Sequence, residues 1–309
     1  MRHWLEYVAV RGLVAIVALT PASLVVPCGR ALGVAWHAVH RSRRRIADAN
    51  LAAAFPSRSA SERRAICRSA FAHFIAQALE TLKFSTLTPA QMLARVEVLG
   101  ADRVKQAYAQ GKGVLFFTGH FGFWELHAIA HPLLFEPIGL LARALDNARM
   151  NALLAQVRQC TGNTVIYRQG SIRRVMRMLQ DRHGVAVLID QHIHGPDAVY
   201  VEFFERPAAT ASAVAAMALR TGSPVVPVFA LPLGKGRYRL IYEHPVEPPA
   251  EADPNDADAA NAAIRDFTQR CTDVLEMYVR RHPDLWLWMH RRWRDEQSGA
   301  SDEAAHFLP

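Results

Sequence analysis

From residue 95 onward, short runs rich in β-branched and aromatic residues alternate with stretches of helical periodicity. That alternation constrains the fold more than any other feature of the chain. Strands are expected at 96–99, 114–118, 138–142, 164–167, 185–189 and 225–230, with a further strand near a sheet edge at 237–243. Helical patterns fill 150–159, 172–182, 211–221 and about 258–281. Strands that alternate with helices this way predict an α/β fold: a mainly parallel mixed sheet flanked by helices.

Upstream of that body the texture is different. Between Arg11 and Arg30 lie eighteen residues without a charge, the short end of what spans a hydrocarbon core. Pro21 interrupts the run, so a kinked span and a helical hairpin within one leaflet both fit. Trp4 and Tyr7 precede it and suit the head-group level. A cleaved leader fits less well, because the run is long, contains a proline and lacks a tidy small-residue cleavage site. A buried core helix also competes, but Arg41-Ser42-Arg43-Arg44-Arg45 follows closely and reads as the cytoplasmic flank of an anchor. The expected division is a membrane-associated segment over 1–30, a helical region over 31–94, an α/β domain over 95–296 and a polar tail over 297–309. Within the second region, Ser59-Ala60-Ser61-Glu62 matches a capping box at the head of an amphipathic helix over 60–82.

The formal net charge of +8 favours anionic partners: nucleic acid, anionic lipid or an acidic carrier protein. A membrane-tethered nucleic-acid-binding protein is therefore the alternative from another class. No helix-turn-helix, RNP or finger pattern supports it, and the basic residues cluster beside apolar runs. Cys28, Cys67, Cys160 and Cys271 are widely spaced and form no metal knuckle or disulfide framework.

The chemistry concentrates in Gly119-His120-Phe121-Gly122-Phe123-Trp124-Glu125, directly after the strand at 114–118. Ligands of α/β folds sit at the carboxyl ends of strands. On one continuous helix His120 and Glu125 would face apart, but with His120 in the turn and Glu125 one turn into the helix they can converge. A carboxylate on one ring nitrogen fixes the tautomer and leaves the other nitrogen as a base. Gly119 and Gly122 would let backbone approach a ligand and expose amides to a developing oxyanion. Against this stands a plain reading: a core histidine hydrogen-bonded within a crossover. A metal reading draws on His127, His192 and His194, but no pair has the helical spacing of a zinc hydrolase. No G-x-S-x-G elbow is present.

The motif resembles the H-x4-D/E signature of glycerolipid-type acyltransferases, and the whole chain resembles the bacterial lipid A biosynthesis acyltransferases. The resemblance is carried by Arg45…Asn50-Leu51…Phe55-Pro56, by Arg143 with Asn147, and by Asp190-Gln191 with Gly195, Phe203-Phe204 and Ala209-Thr210. Trp286-Leu287-Trp288-Met289-His290-Arg291-Arg292-Trp293 completes it, in family order over nearly the full length. Phe123 and Ala148 depart from the family, where Asn and Pro are frequent, and bear on acceptor or acyl specificity.

The resemblance implies a membrane-bound enzyme on the cytoplasmic face of the inner membrane. It would move a fatty acyl chain from acyl carrier protein to a hydroxyl of a lipid A precursor, with no cofactor, no metal and no nucleic acid involved. His120 would be the general base and Glu125 its orienting carboxylate. Arg143, Asn147, Asp190, Gln191, Gly119 and Gly122 would line the substrate site. Two of these have plain alternatives, Arg143 as a helix-cap arginine and Asp190 as a strand-end turn residue. Relatives that acylate other glycolipids or the lipid tails of specialised pigments remain alternatives. The tryptophan-rich end reads equally as core or as a lipid-facing interface.

Overall fold

The computed structural model describes residues 2–167, 171–195, 197–250 and 256–293. The tail expected over 297–309 lies outside the described residues.

Pro21 divides the uncharged run into α1 (Arg2–Leu19) and α2 (Ala22–Val39). Next come α3 (Arg41–Ala54) and α4 (Ala60–Phe84), the latter started by the expected capping box. Ser59 Oγ accepts from the Glu62 amide, and Glu62 Oε2 accepts from the Ser59 amide at 2.7 Å. A short α5 (Pro89–Leu93) leads to β1 (Val96–Leu99), α6 (Ala101–Ala109) and β2 (Val114–Thr118). There follow α7 (Trp124–Leu134), β3 (Gly139–Ala142), α8 (Ala148–Gln159), β4 (Thr164–Tyr167), α9 (Ser171–Gln180) and β5 (Gly184–Leu188). A hairpin, β6 (Ala198–Glu202) and β7 (Pro207–Ala211), precedes α10 (Ala213–Thr221), β8 (Val225–Gly234), β9 (Arg237–Tyr242) and α11 (Ala257–Arg281).

Seven strands form one sheet in the order β1-β9-β8-β2-β5-β3-β4, parallel throughout except between β8 and β9. The α/β expectation with a mainly parallel mixed sheet is met. All five residues of β2 are buried, as a central strand covered on both faces requires. Register pairs Thr118 with Leu188, so β2 and β5 end level with each other.

The β6–β7 hairpin is absent from the strands that periodicity predicts. Its turn, closed by Phe203 N–H donating to Arg206 O at 2.9 Å, holds Phe204 and Glu205 at φ of 55° and 58°. Two successive left-handed residues make a turn suited to a two-residue hairpin, but such turns are normally announced by Asn-Gly or Gly. Here contacts maintain the strained backbone: Phe204 packs against Phe55 and Trp288, and its amide donates to Glu276 Oε2.

α2 lies along α4 at close range. A Cβ on Gly29 would sit 2.5 Å from Ala76 Cα, and one on Gly33 would sit 2.4 Å from Phe71 O. This small-x-x-x-small face lets the two backbones approach. Helix α2 runs on to Val39, past residue 30, where the sequence places the end of the anchor. Buried residues of α3 and α4 share one core cluster with β2, β5, α10 and α11.

Candidate active site

Strands β2 and β5 deliver His120 and Asp190 side by side at the carboxyl edge of the sheet. His120 Nδ1 lies 2.8 Å from Asp190 Oδ1. A carboxylate only accepts, so Nδ1 carries the proton and Nε2 presents its lone pair. The same carboxylate accepts from the His120 amide at 2.7 Å and from Trp286 Nε1 at 2.8 Å, both on Oδ2. Burial alone would push the Asp190 carboxyl up. The His120 charge and the three donated bonds outweigh it and hold the group below its ordinary value. The amide of Gln191 approaches His120 Nε2 at 3.5 Å from an exposed position. Trp124 contacts the imidazole edge-on, with ring centroids 5.1 Å apart.

The carboxylate hydrogen-bonded to His120 is therefore Asp190, where the spacing pointed to Glu125. Glu125 makes no hydrogen bond to His120 among the described residues. It is gripped by Arg158 of α8, whose Nε lies 3.0 Å from Oε2 and whose Nη2 also contacts Oε1. Burial would raise the Glu125 carboxyl, and the Arg158 charge with its forked bonds overrides that and lowers it. The His120 charge lowers it further, which places Glu125 within electrostatic reach of the imidazole. Arg158 has no signal in the sequence: an arginine near a helix end reads as surface.

The glycines serve the fold in ways the sequence does not show. Gly122 N–H donates to Leu285 O at 2.9 Å, so that amide is spent within the protein and is not offered to an oxyanion. Its φ is 58°, and a Cβ added there would lie 2.1 Å from Ala230 O, so glycine is obligatory. Gly122 O accepts from His73 Nε2 of α4 at 3.0 Å. A Cβ on Gly119 would sit 3.0 Å from Asp190 Oδ2, so glycine there lets the carboxylate close on His120.

Asn147 is buried and occupied. Its Oδ1 caps α8 through the amides of Arg149 and Met150, and its Nδ2 donates to His3 O at 2.9 Å and Glu6 Oε2 at 3.0 Å. Among the described residues these bonds join α8 to α1. Arg143 is exposed just past β3, two strands from β2 and so on the order of 10 Å across the sheet edge. It makes no hydrogen bond or ion pair with a described residue.

The tryptophan-rich end is core. Trp286 and Trp288 are 2% and 0% exposed, and the Leu287 amide donates to His120 O at 3.0 Å, stapling the histidine loop. Asn50 Nδ2 reaches Trp288 O at 2.8 Å and His290 O at 2.6 Å across 238 and 240 residues of sequence. Arg292, 1% exposed, donates to Ala209 O and Thr210 Oγ1. Stretches far apart in the chain thus converge on the Asp190–Trp286 contact. Among the described residues no three His, Cys, Asp or Glu side chains lie together as a metal site would require.

Comparison with known proteins agrees over the same span. The family described as bacterial lipid A biosynthesis acyltransferase matches residues 1–295. The lipid A biosynthesis lauroyltransferase of Escherichia coli (strain K12) is 27% identical over 304 residues, covering 96% of this chain and 94% of that one. The myristoyltransferase of the same organism is 24% identical, covering 96% and 89%. Its palmitoleoyltransferase is also 24% identical, covering 97% and 94%. A match of the family over residues 1–295 makes this protein an acyltransferase and a member of the bacterial lipid A biosynthesis acyltransferase family.

Proposed function

We propose that this enzyme is membrane-bound on the cytoplasmic face of the inner membrane and transfers a fatty acyl chain from acyl carrier protein to a hydroxyl of a lipid A precursor or related glycolipid. The observation that carries the reading is the His120–Asp190 bond, which fixes the tautomer and leaves Nε2 as the base. His120 Nε2 takes the proton of the acceptor hydroxyl as its oxygen attacks the thioester carbonyl. The resulting imidazolium is stabilised by Asp190 in contact and by Glu125 nearby. Collapse of the tetrahedral intermediate breaks the carbon–sulfur bond, and the imidazolium returns its proton to the departing thiolate. Asp190 acts here as the orienting partner rather than as a substrate ligand, and Gln191 borders the reacting nitrogen. Arg143, exposed at the same sheet edge and without an ion pair among the described residues, is available to oxygen ligands.

Membrane binding is supported by the N-terminal helices. Helix α2 is long and apolar enough to cross a bilayer, by length and composition. Trp4, Val8, Ile16, Leu19, Leu24, Leu32 and Val39 of α1 and α2 are all exposed. The test is transfer of radiolabelled acyl groups to a lipid A precursor in detergent micelles, from matched carrier-protein and coenzyme A thioesters. Labelled lipid is expected with a higher kcat/KM for the carrier thioester. No labelled lipid from either donor would overturn the reading.

A further inference from the structure

Between α2 and α4 lies a cleft of about 250 Å³ lined by Arg30, Ala31, Val34, Arg68, Ser69 and Ala72. Arg30 and Arg68 come from different helices and are both exposed. Neither guanidinium makes a hydrogen bond or ion pair with a described residue. Two like charges at one small cleft repel each other, and a bound anion relieves that repulsion. The guanidinium fork matches the oxygens of a phosphate, and Ser69 brings a hydroxyl to the same cleft.

The position of the cleft says what carries the phosphate. On α2, the exposed Leu24, Leu32 and Val39 lie between about 120° and 180° around the helix from Arg30, at 100° per residue. A helix with one apolar flank and an arginine opposite settles with the apolar side among acyl chains and the cation at head-group level. Small residues fill the rest of the lining, so nothing bulky blocks the approach. On α4 the cleft residue Ala72 precedes His73, which holds Gly122 O of the histidine loop.

We infer that the α2–α4 cleft binds a lipid phosphate, clamped between Arg30 and Arg68 with Ser69 as a further donor. The inference rests on the membrane reading given above. It deepens that reading by placing a head group beside the helix that supports the catalytic loop.

Flotation of the full chain with phosphatidylcholine vesicles containing either phosphatidic acid or a charge-matched amount of oleate tests the site without relying on turnover. The wild type should bind phosphatidic acid vesicles roughly 10-fold or more tightly than oleate vesicles, the effect of one or two charge-assisted bonds. R30Q/R68Q should lose that preference while still binding oleate vesicles, and R30K/R68K should recover part of it. A preference unchanged in R30Q/R68Q, or a parallel loss on both vesicles, would overturn the site. A second arm identifies the source. If the phosphate belongs to the acceptor, R30Q/R68Q raises KM for the intact lipid acceptor roughly 10-fold and leaves KM for the phosphatase-treated acceptor unchanged. If KM is unaffected while flotation shifts, the phosphate is that of bilayer lipid. A wild type that transfers nothing would sink the proposed function and leave the flotation arm to decide the site.

Discussion

Asp190 holds the His120 ring through its bond to Nδ1, and in the proposed mechanism its charge also stabilises the protonated form; one isosteric change tests both together. Asp190→Asn keeps an oxygen for Trp286 and the His120 amide but removes the charge and permits the wrong tautomer. Turnover should fall by about two to four orders of magnitude while the fold survives. A kcat within about threefold of wild type would show that another group orients the imidazole. Glu125 and Arg158 make a different case. Removing one member of a buried pair strands the other, so Arg158→Met should lower stability by about 3–5 kcal/mol, and Glu125→Gln/Arg158→Met should recover much of it. Chemical denaturation of the singles and the double reads this as a coupling energy. Both carboxyls titrate below their ordinary values of 3.8 and 4.5. The stability they lend is complete above those values and is lost as pH falls through the lower values of the folded state. Asp190→Asn should therefore flatten the Tm–pH profile below about pH 4 and leave its slope unchanged above about pH 6. His120 stands out in the sequence because it lies between glycines at a strand end, and the structure sets it against a carboxylate there. Its partner is not: Glu125 lies five residues away and Asp190 seventy, and only the level ends of β2 and β5 show which one arrives.

Most strands and helices are legible from periodicity, because β2 and β5 are short apolar runs bounded by turns and α4 announces itself with its cap. The exceptions have physical causes. The β6–β7 turn carries no glycine, its left-handed residues being held by tertiary contacts that no local pattern reveals. Pro21 is legible as a break in the uncharged run, but the different neighbours of the two helices it separates are not. Lys83 of α4 donates to Val17 O and Ala18 O near the end of α1, while α2 is seated by Gly29 and Gly33. Gly33→Leu would drive a side chain into Phe71 O and Ala72 Cα, so α2 must shift off α4. A loss of about 2 kcal/mol or more is expected, within the range for overpacking. Gly12→Ala is the control, since a Cβ there meets nothing within 4 Å. Thermal melts in one detergent compare the two, and equal Tm values would deny that the α2–α4 contact is close.

At the scale of the whole molecule, the apolar flanks of α1 and α2 and the surplus of eight positive charges act together. The protein should stay with membranes through a carbonate wash, and quantitative release of the full-length chain would contradict the anchor. Raising ionic strength to half-molar should weaken transfer mainly through KM, because screening shortens the reach of the basic surface toward an acidic carrier and an anionic bilayer. The carboxyl edge of the sheet is where the proposed chemistry would occur. Loop 119–123 is stapled to the segment around Leu287 on one side and supported by α4 on the other, and α4 also carries α2, the helix proposed to meet the membrane. The proposed mechanism depends on His120 Nε2 as the base. The most direct measurement is single-turnover acyl transfer to the lipid acceptor by His120→Ala, by Asp190→Asn and by the double variant, each with a matched thermal melt. A rate loss of about two to four orders of magnitude is expected for His120→Ala, with the double variant little worse, since the two act as a unit. A folded His120→Ala protein that transfers acyl groups at a near-normal rate would contradict it.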